Sequence, residues 1–290
     1  MHIDLTSNLF WAQDIKRFLR EDGLDENLFY LKSLPQDLCK FELKIKSDVV
    51  LSGVPFFKEV FIQLGANPEV FSNLEKLEGT KISSHEEKEE LKLELPFGPS
   101  LVAERLALNC LQRSTAISTI TSKFVEICKP KGVAVLDTRK TTPGLKHLEK
   151  YAVRVGGGKN HRLNQTQMWM IKDNHKYFWK GITNSKKFFD ELGQFYQVYI
   201  VEIHSIPELV EAQQLGLDHM LLDNFSEEML KEALTLKKPG NTFEVSGGIN
   251  LDNVFSFLQP GVDAISIGSI TQFPPTVDLS FKLIEKVGLS

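Results

Sequence analysis

The chain has 290 residues, of which 42% are hydrophobic and 25% are charged, as expected of an ordinary globular protein with room for one large α/β domain or two smaller ones. Its formal net charge of -4 argues against a general nucleic-acid binder, which usually carries a basic excess on one face. No apolar run approaches the roughly 20 residues that span a bilayer, and the first residues lack the pattern of a secretory signal. The three cysteines follow no zinc or disulfide spacing. We therefore expect a cytoplasmic protein with reduced thiols that binds neither nucleic acid nor membranes.

The first part of the chain mixes helical patterns with two alternating segments. Residues 41–46 and 90–95 alternate apolar and polar side chains with period two, which predicts half-exposed antiparallel strands. Residues 54–64, which lie between them, have helical spacing. Pro99 then opens a predicted helix over residues 101–128, because proline is tolerated at a helix start, where its missing N–H would be unpaired anyway.

The second half of the chain alternates short apolar runs with helical segments. Several runs are almost continuously apolar, as strands buried on both faces are. The six predicted strands lie at 133–136, 168–171, 198–201, 219–222, 243–245 and 264–267. This alternation predicts a parallel sheet with right-handed crossovers. The lack of a Gly-x-Gly-x-x-Gly motif favours an α/β barrel, and an open doubly wound sheet stays as the alternative.

Cationic side chains cluster after the first two of these runs. Active sites of parallel α/β barrels lie at the C-terminal ends of the strands, so residues that follow the runs are candidate site residues. The cationic set consists of Arg139, His161, Arg162 and Lys172. Arginine can hold a carboxylate with two parallel N–H bonds, and lysine adds a point charge. The set therefore suits a small substrate with more than one negative charge.

An acidic pair follows the third and fourth runs. Glu202 and Asp223 could hold Mg²⁺, which commonly enters a site together with a phosphorylated substrate. A structural ion pair with Lys140 or Lys172 is the alternative interpretation of these carboxylates.

Glycine-rich loops follow the last two runs, as Ser246-Gly247-Gly248 and Gly268-Ser269. Glycine lets the backbone approach a ligand closely, and loops in this position of a barrel frequently bind phosphate. A Gly-Gly pair alone is a weak signal, since turns use it often. The two loops together predict a phosphate site.

An ordered series of motifs in this sequence resembles the quinolinate phosphoribosyltransferase family. The motifs are Asp137-Thr138-Arg139-Lys140-Thr141-Thr142-Pro143-Gly144, Gly156-Gly157-Gly158-Lys159-Asn160-His161-Arg162, Ile171-Lys172-Asp173-Asn174-His175, Leu222-Asp223-Asn224, Ser246-Gly247-Gly248-Ile249 and Ile267-Gly268-Ser269. The resemblance implies an α/β protein with an N-terminal α/β sandwich domain, residues 1–115, and a parallel barrel of about six strands, residues 116–270. A C-terminal tail, residues 271–290, is expected to return to the first domain.

The resemblance also implies an activity. Members of the family join quinolinate to the ribose of phosphoribosyl pyrophosphate and release CO2 and pyrophosphate, forming nicotinate mononucleotide for NAD synthesis. Mg²⁺ is the implied cofactor. The implied assembly is a homodimer with shared active sites, and a higher oligomer is left open.

The family resemblance assigns expected roles to individual residues of this sequence. Quinolinate is expected to bind Arg105 from the neighbouring subunit, together with Thr138, Arg139, His161, Arg162 and Lys172. The expected catalytic residues are Lys140, Glu202 and Asp223, of which Glu202 and Asp223 would also hold the metal. The expected phosphate-binding residues are Ser246, Gly247, Gly248, Gly268 and Ser269. His204 departs from the family pattern, where an acidic or small polar residue is more usual.

Two other functions stay open from the sequence. The first is a related phosphoribosyltransferase that uses another pyridine carboxylate, such as nicotinate. A monocarboxylate would leave part of the cationic set unpaired, which is costly in a buried pocket. The second is a non-catalytic protein that binds a dicarboxylate. Such a protein would have no use for the acidic pair or the glycine loops.

Overall fold

The computed structural model of the chain describes residues 8–84, 86–192 and 198–288. They form two compact units. The first holds the described residues of Met1–Ser122, Thr141–Gly157 and Phe273–Ser290, and the second holds those of Lys123–Lys140 and Gly158–Gln272. The domain boundaries at residues 115 and 270 remain a prediction. Within the described part of the chain, no helix is long and apolar enough to cross a bilayer.

The first unit combines helices with a three-stranded antiparallel sheet. Its helices are α1 (Asn8–Glu21), α2 (Leu24–Ser33), α3 (Val54–Gln63), α4 (Ser72–Glu75), α5 (Phe97–Cys128, whose last turns belong to the second unit) and α6 (Lys146–Val155). Its strands are β1 (Leu38–Ile45), β2 (Val49–Val50), β3 (Lys81–Ile82), β4 (Lys92–Pro96) and β11 (Leu279–Lys286). The sheet order is β11-β1-β4, and β2 pairs separately with β3.

Both alternating segments of the first unit contain strands, as their pattern predicts, although residues 90 and 91 of the second segment lie in a short 3-10 helix. In β1, Cys39, Phe41, Leu43 and Ile45 are buried, while the residues between them are more exposed. This is the pattern of a sheet with one face on a core. β4 pairs with one edge of β1. The other edge of β1 pairs antiparallel with β11, from the last part of the chain.

The long helix α5 begins at Phe97, four residues before the predicted start at residue 101. Pro99 lies in its first turn, where no intrahelical partner exists for the N–H groups, so proline does not interrupt the helix. One face of the helix is fully buried, since Ala103, Ala107 and Ile117 are all 0% exposed.

The second unit contains all six predicted strands in one parallel sheet. The strands are β5 (Ala134–Leu136), β6 (Trp169–Ile171), β7 (Tyr199–Ile203), β8 (His219–Asp223), β9 (Thr242–Ser246) and β10 (Ala264–Ser266). The helices are α7 (Asp173–Phe178), α8 (Ile182–Leu192), α9 (Ile206–Gln214), α10 (Glu227–Thr235) and α11 (Ser269–Gln272). The strand order is β5-β10-β9-β8-β7-β6, which places the first strand of the unit beside the last. A barrel requires that arrangement, whereas a doubly wound sheet would start from its middle strand.

At the end of five strands, a polar residue follows a fully buried apolar residue. One residue near the end of each of five strands is 0% exposed: Ile171, Val201, Leu222, Val245 and Ile265. The residue that follows each of them, in the same order, is Lys172, Glu202, Asp223, Ser246 and Ser266. Burial of the apolar residue anchors the backbone, so the polar neighbour is held at the C-terminal edge of the sheet.

Candidate active site

A cleft of about 230 Å³ lies at the C-terminal ends of the barrel strands. Its lining is formed by Thr138, Arg139, Lys140, His161, Arg162, Met170, Lys172, Glu202, Leu221, Asp223, Ser246 and Ser266. All four members of the predicted cationic set are therefore in one cavity with both members of the acidic pair. Parallel strands bring these residues together because their C-terminal ends meet at one edge of the sheet.

A buried carboxylate holds the two loops that carry the cations. Asp137 is 0% exposed and accepts hydrogen bonds from His161 N and from Asn160 Nδ2, both at 2.7 Å. The backbone adds a bond from Asp137 N to Lys159 O at 3.1 Å. The loop after β5 and the segment before β6 are thereby tied to each other. Asp137 does not itself line the cleft, but it positions the cationic wall of the cleft, which is formed by Arg139, His161, Arg162 and Lys172.

Arg162 is the buried member of the cationic wall. Its Nη1 donates to Gln165 O at 3.2 Å and to Met168 O at 2.9 Å. Burial lowers the pKa of Arg162, the charge of Arg139 lowers it further, and Glu202 opposes the change. Two guanidinium groups thus repel each other at the cleft, and an anion bound between them would relieve that repulsion.

His161 lies in the cleft, between the backbone of Arg162 and the carboxylate of Glu244. Its Nδ1 accepts a hydrogen bond from Arg162 N at 2.7 Å, which requires a lone pair on that nitrogen. Its Nε2 lies 3.5 Å from Oε1 of Glu244. The sequence interpretation missed Glu244, although a carboxylate in the middle of the apolar strand β9 was a signal that could have revealed it.

Glu202 is engaged on both of its oxygens. Oε2 lies 3.1 Å from Lys172 Nζ, so the ion pair that was the alternative interpretation is present in the structure. Oε1 lies 3.3 Å from His204 Nε2, and the same nitrogen lies 3.5 Å from Asp223 Oδ2. One ligand atom from each of the three side chains lies within 4.8 Å of the others. Two carboxylates at this spacing offer the oxygen ligands that Mg²⁺ prefers.

Gly247 and Gly268, one in each glycine loop, are closely packed against neighbouring side chains. Gly247 has φ +106°, and a Cβ there would collide with the side chain of Asn224. A Cβ on Gly268 would lie 2.8 Å from Gln272 Oε1 and 3.2 Å from Lys140 Cδ. Any larger residue would therefore displace a neighbour at either site.

Several predicted site residues do not line the 230 Å³ cleft. They are Arg105, Gly247, Gly248, Gly268 and Ser269. Arg105 is exposed on α5, in the first unit. Each glycine loop begins at the end of a cleft-lining strand, because Ser246 and Ser266, the last residues of β9 and β10, line the cleft.

Fold and cleft together define a class of protein: a parallel α/β barrel whose C-terminal edge combines a set of cationic side chains with a pair of carboxylates. The sequence profile of the family described as "Quinolinate phosphoribosyl transferase, C-terminal domain" matches residues 117–282. The chain belongs to the quinolinate phosphoribosyltransferase family.

Individual relatives support this membership over nearly the whole chain. The human protein named nicotinate-nucleotide pyrophosphorylase [carboxylating] is 37% identical, over 94% of this chain and 91% of its own length. The probable nicotinate-nucleotide pyrophosphorylase [carboxylating] of Bacillus subtilis is 34% identical, over 92% of this chain and 91% of its own. The crystal structure of NadC from Streptococcus pyogenes has a TM-score of 0.83 at 30% identity, covering 96% of this chain and 99% of that one.

Proposed function

We propose that this protein transfers the phosphoribosyl group of phosphoribosyl pyrophosphate to quinolinate, with loss of CO2, to form nicotinate mononucleotide in NAD biosynthesis. The proposal agrees with the names of the human and Bacillus subtilis relatives, which are carboxylating nicotinate-nucleotide pyrophosphorylases. The observation that carries it is the composition of the cleft, where Arg139, Arg162 and Lys172 stand beside Glu202 and Asp223.

Quinolinate would occupy the cationic side of the cleft, with Thr138 and His161 as further partners. Its two carboxylates need two positive groups, and Arg139 and Arg162 offer planar guanidinium donors for bidentate pairing. Lys172 adds a third charge but would have to share it with Glu202, 3.1 Å away. Nicotinate, with one carboxylate, would leave one of these cations without a partner, and that difference favours the dicarboxylate.

Phosphoribosyl pyrophosphate would occupy the acidic and glycine-rich side. Glu202 and Asp223 would hold Mg²⁺, whose charge would offset that of the leaving pyrophosphate. Lys140, an exposed residue of the cleft lining, would contribute a further positive charge to the same group. Ser246 and Ser269, with the glycines beside them, would accommodate the 5'-phosphate through backbone N–H groups.

The chemistry would then require little beyond placement. The bond between ribose C1 and pyrophosphate breaks through a transition state with oxocarbenium character, and the pyridine nitrogen forms the new bond to C1. The ring nitrogen becomes cationic and stabilises the electron pair that stays on the adjacent ring carbon when its carboxylate leaves as CO2. That ring carbon then takes up a proton from water. The carboxylates of Glu202 and Asp223 would stabilise the positive sugar, while the cationic wall would orient quinolinate.

We further propose a homodimer in which Arg105 reaches the cleft of the neighbouring subunit. Arg105 is exposed on α5, which leaves it available for such a contact. Family resemblance is the support for this shared site, and a higher oligomer is a further possibility under the same proposal. A cytoplasmic location is proposed because Cys39, Cys110 and Cys128 are free and buried, as is usual where disulfides do not form.

The decisive experiment incubates the purified protein with quinolinate, phosphoribosyl pyrophosphate and Mg²⁺. The proposal expects nicotinate mononucleotide, CO2 and pyrophosphate in equal amounts. Replacement of quinolinate by nicotinate is the matched control, and product formation from nicotinate alone would favour the related transferase. Calorimetric binding of quinolinate without turnover would favour the non-catalytic protein.

A further inference from the structure

The most informative feature outside the expected quinolinate contacts is His204, which follows β7 at the acidic side of the cleft. Its Nε2 lies 3.3 Å from Glu202 Oε1 and 3.5 Å from Asp223 Oδ2. The imidazole thus stands between the two carboxylates. A histidine in this position could act in two opposite ways: its nitrogen could offer a lone pair to a cation, or an N–H to the carboxylates.

The neighbouring lysine decides between these two roles. Lys176, on α7, is only 9% exposed. Its Nζ lies 2.9 Å from Glu202 O, 2.9 Å from His204 Nδ1 and 2.7 Å from Glu208 Oε2. Glu208 Oε1 also lies 2.9 Å from the same Nζ. An ammonium group has N–H donors and no acceptor, so it can only donate in each of these contacts. His204 Nδ1 must therefore present its lone pair to Lys176.

The tautomer of His204 follows from that contact. In a neutral imidazole one nitrogen carries the hydrogen and the other accepts, so Nε2 carries the hydrogen when Nδ1 accepts. Nε2–H is then on the side of the ring that lies 3.3 Å from Glu202 Oε1 and 3.5 Å from Asp223 Oδ2. Glu208 keeps Lys176 in place, because its carboxylate also accepts a hydrogen bond from His204 N at 2.8 Å. Glu208 itself lies in the first turn of α9.

We propose that His204 is a positioning residue that bridges Glu202 and Asp223 through Nε2–H and competes with a divalent cation for these carboxylates. This inference rests on the metal site of the proposed function. In this role His204 weakens metal binding, although a histidine at this position could also serve as a metal ligand. The consequence is weak binding of the metal alone, so the cation enters together with the pyrophosphate substrate, whose oxygens supply the missing contacts.

The size of the effect follows from the geometry of the bridge. The two contacts are long, at 3.3 and 3.5 Å, and the His204 side chain is 36% exposed, so they are weaker than a short buried pair. We expect removal of the imidazole to tighten metal binding by about three- to tenfold, below the full value of a hydrogen bond to a charged group.

The experiment titrates the full-length protein with Mn²⁺, without substrates, and follows free Mn²⁺ by electron paramagnetic resonance. His204→Ala is expected to lower the dissociation constant, whereas an unchanged or higher constant would overturn the proposal. His219→Ala is the matched control, because this histidine lies at the start of β8 and pairs with Thr242. It is expected to leave the constant unchanged. Failure of both the wild type and His204→Ala to bind Mn²⁺ would also overturn the proposal.

A second measurement reads the tautomer directly in the unaltered protein. Nitrogen-15 NMR of the histidine rings, with His204 assigned by its absence from His204→Ala, should show the hydrogen on Nε2. A hydrogen on Nδ1 would refute the role of Lys176. Neither measurement requires turnover, so failure of the catalytic proposal would appear only in the product assay and is distinguishable from failure here.

Discussion

Replacement of Arg139 by alanine tests the cationic wall most directly. Arg139 is exposed in the cleft, and its side chain has no ion pair or hydrogen bond to any residue in the described ranges. It can therefore bind an anion without giving up an existing partner. Lys172 differs, because its Nζ lies 3.1 Å from Glu202 Oε2 and must divide its charge between that carboxylate and a substrate.

The expected magnitudes follow from this difference. A hydrogen bond to a charged group contributes about 1.5–3 kcal/mol, and every 1.4 kcal/mol corresponds to a factor of about ten. Because Arg139 is exposed before binding, water offsets part of its gain, and the lower half of that range applies. Arg139→Ala should lower kcat/KM for quinolinate by about 10- to 50-fold. Lys172→Ala should cost about three- to tenfold, since it also releases Glu202 from its ion pair.

The assay measures initial rates of nicotinate mononucleotide formation while either substrate is varied. The KM for phosphoribosyl pyrophosphate should stay near the wild-type value in Arg139→Ala, because the affected contact is to the pyridine acid. Lys186→Ala is a matched control, since this lysine on α8 pairs with Asp190 away from the cleft lining. A loss of less than about threefold in Arg139→Ala would refute the reasoning that this guanidinium binds the substrate.

Three further perturbations have distinct expected outcomes. Gly247→Ala should lower stability by about 1–3 kcal/mol and raise the KM for phosphoribosyl pyrophosphate, whereas Gly240→Ala, with positive φ but open space around it, should cost less in a thermal melt. Burial raises the pKa of Cys110 to about 12 and that of Cys128 to about 11, so both thiols should resist iodoacetamide at about pH 8 until the protein unfolds. Mass spectrometry showing rapid alkylation of the native protein would contradict this. Mixing an Arg105→Ala subunit with one inactivated in the cleft should restore part of the activity, and no recovery in verified mixed dimers would argue for sites built within one chain.

Local sequence patterns were sufficient to predict most of the secondary structure of the second unit. A strand buried on both faces needs a continuous apolar run, and the six runs from residue 133 onward satisfy that requirement without reference to any other part of the chain. The polar residues that end these runs were also identifiable, because parallel strands expose their C-terminal ends at one edge. The sequence alone therefore determined the number of strands and that Lys172, Glu202 and Asp223 would share one cleft.

The pairing of side chains within that cleft required the tertiary structure. Lys172 could have paired with either carboxylate or with none, and only the fold shows it 3.1 Å from Glu202. The contact of Lys176 with His204, and with it the tautomer of the ring, spans 28 residues of sequence. Apolar periodicity is a property of neighbouring residues, but a hydrogen bond depends on distances of a few tenths of an ångström between segments far apart in the chain. For that reason the sequence determined which charged residues this protein brings to its cleft, and the packing of its barrel decided which of them form pairs.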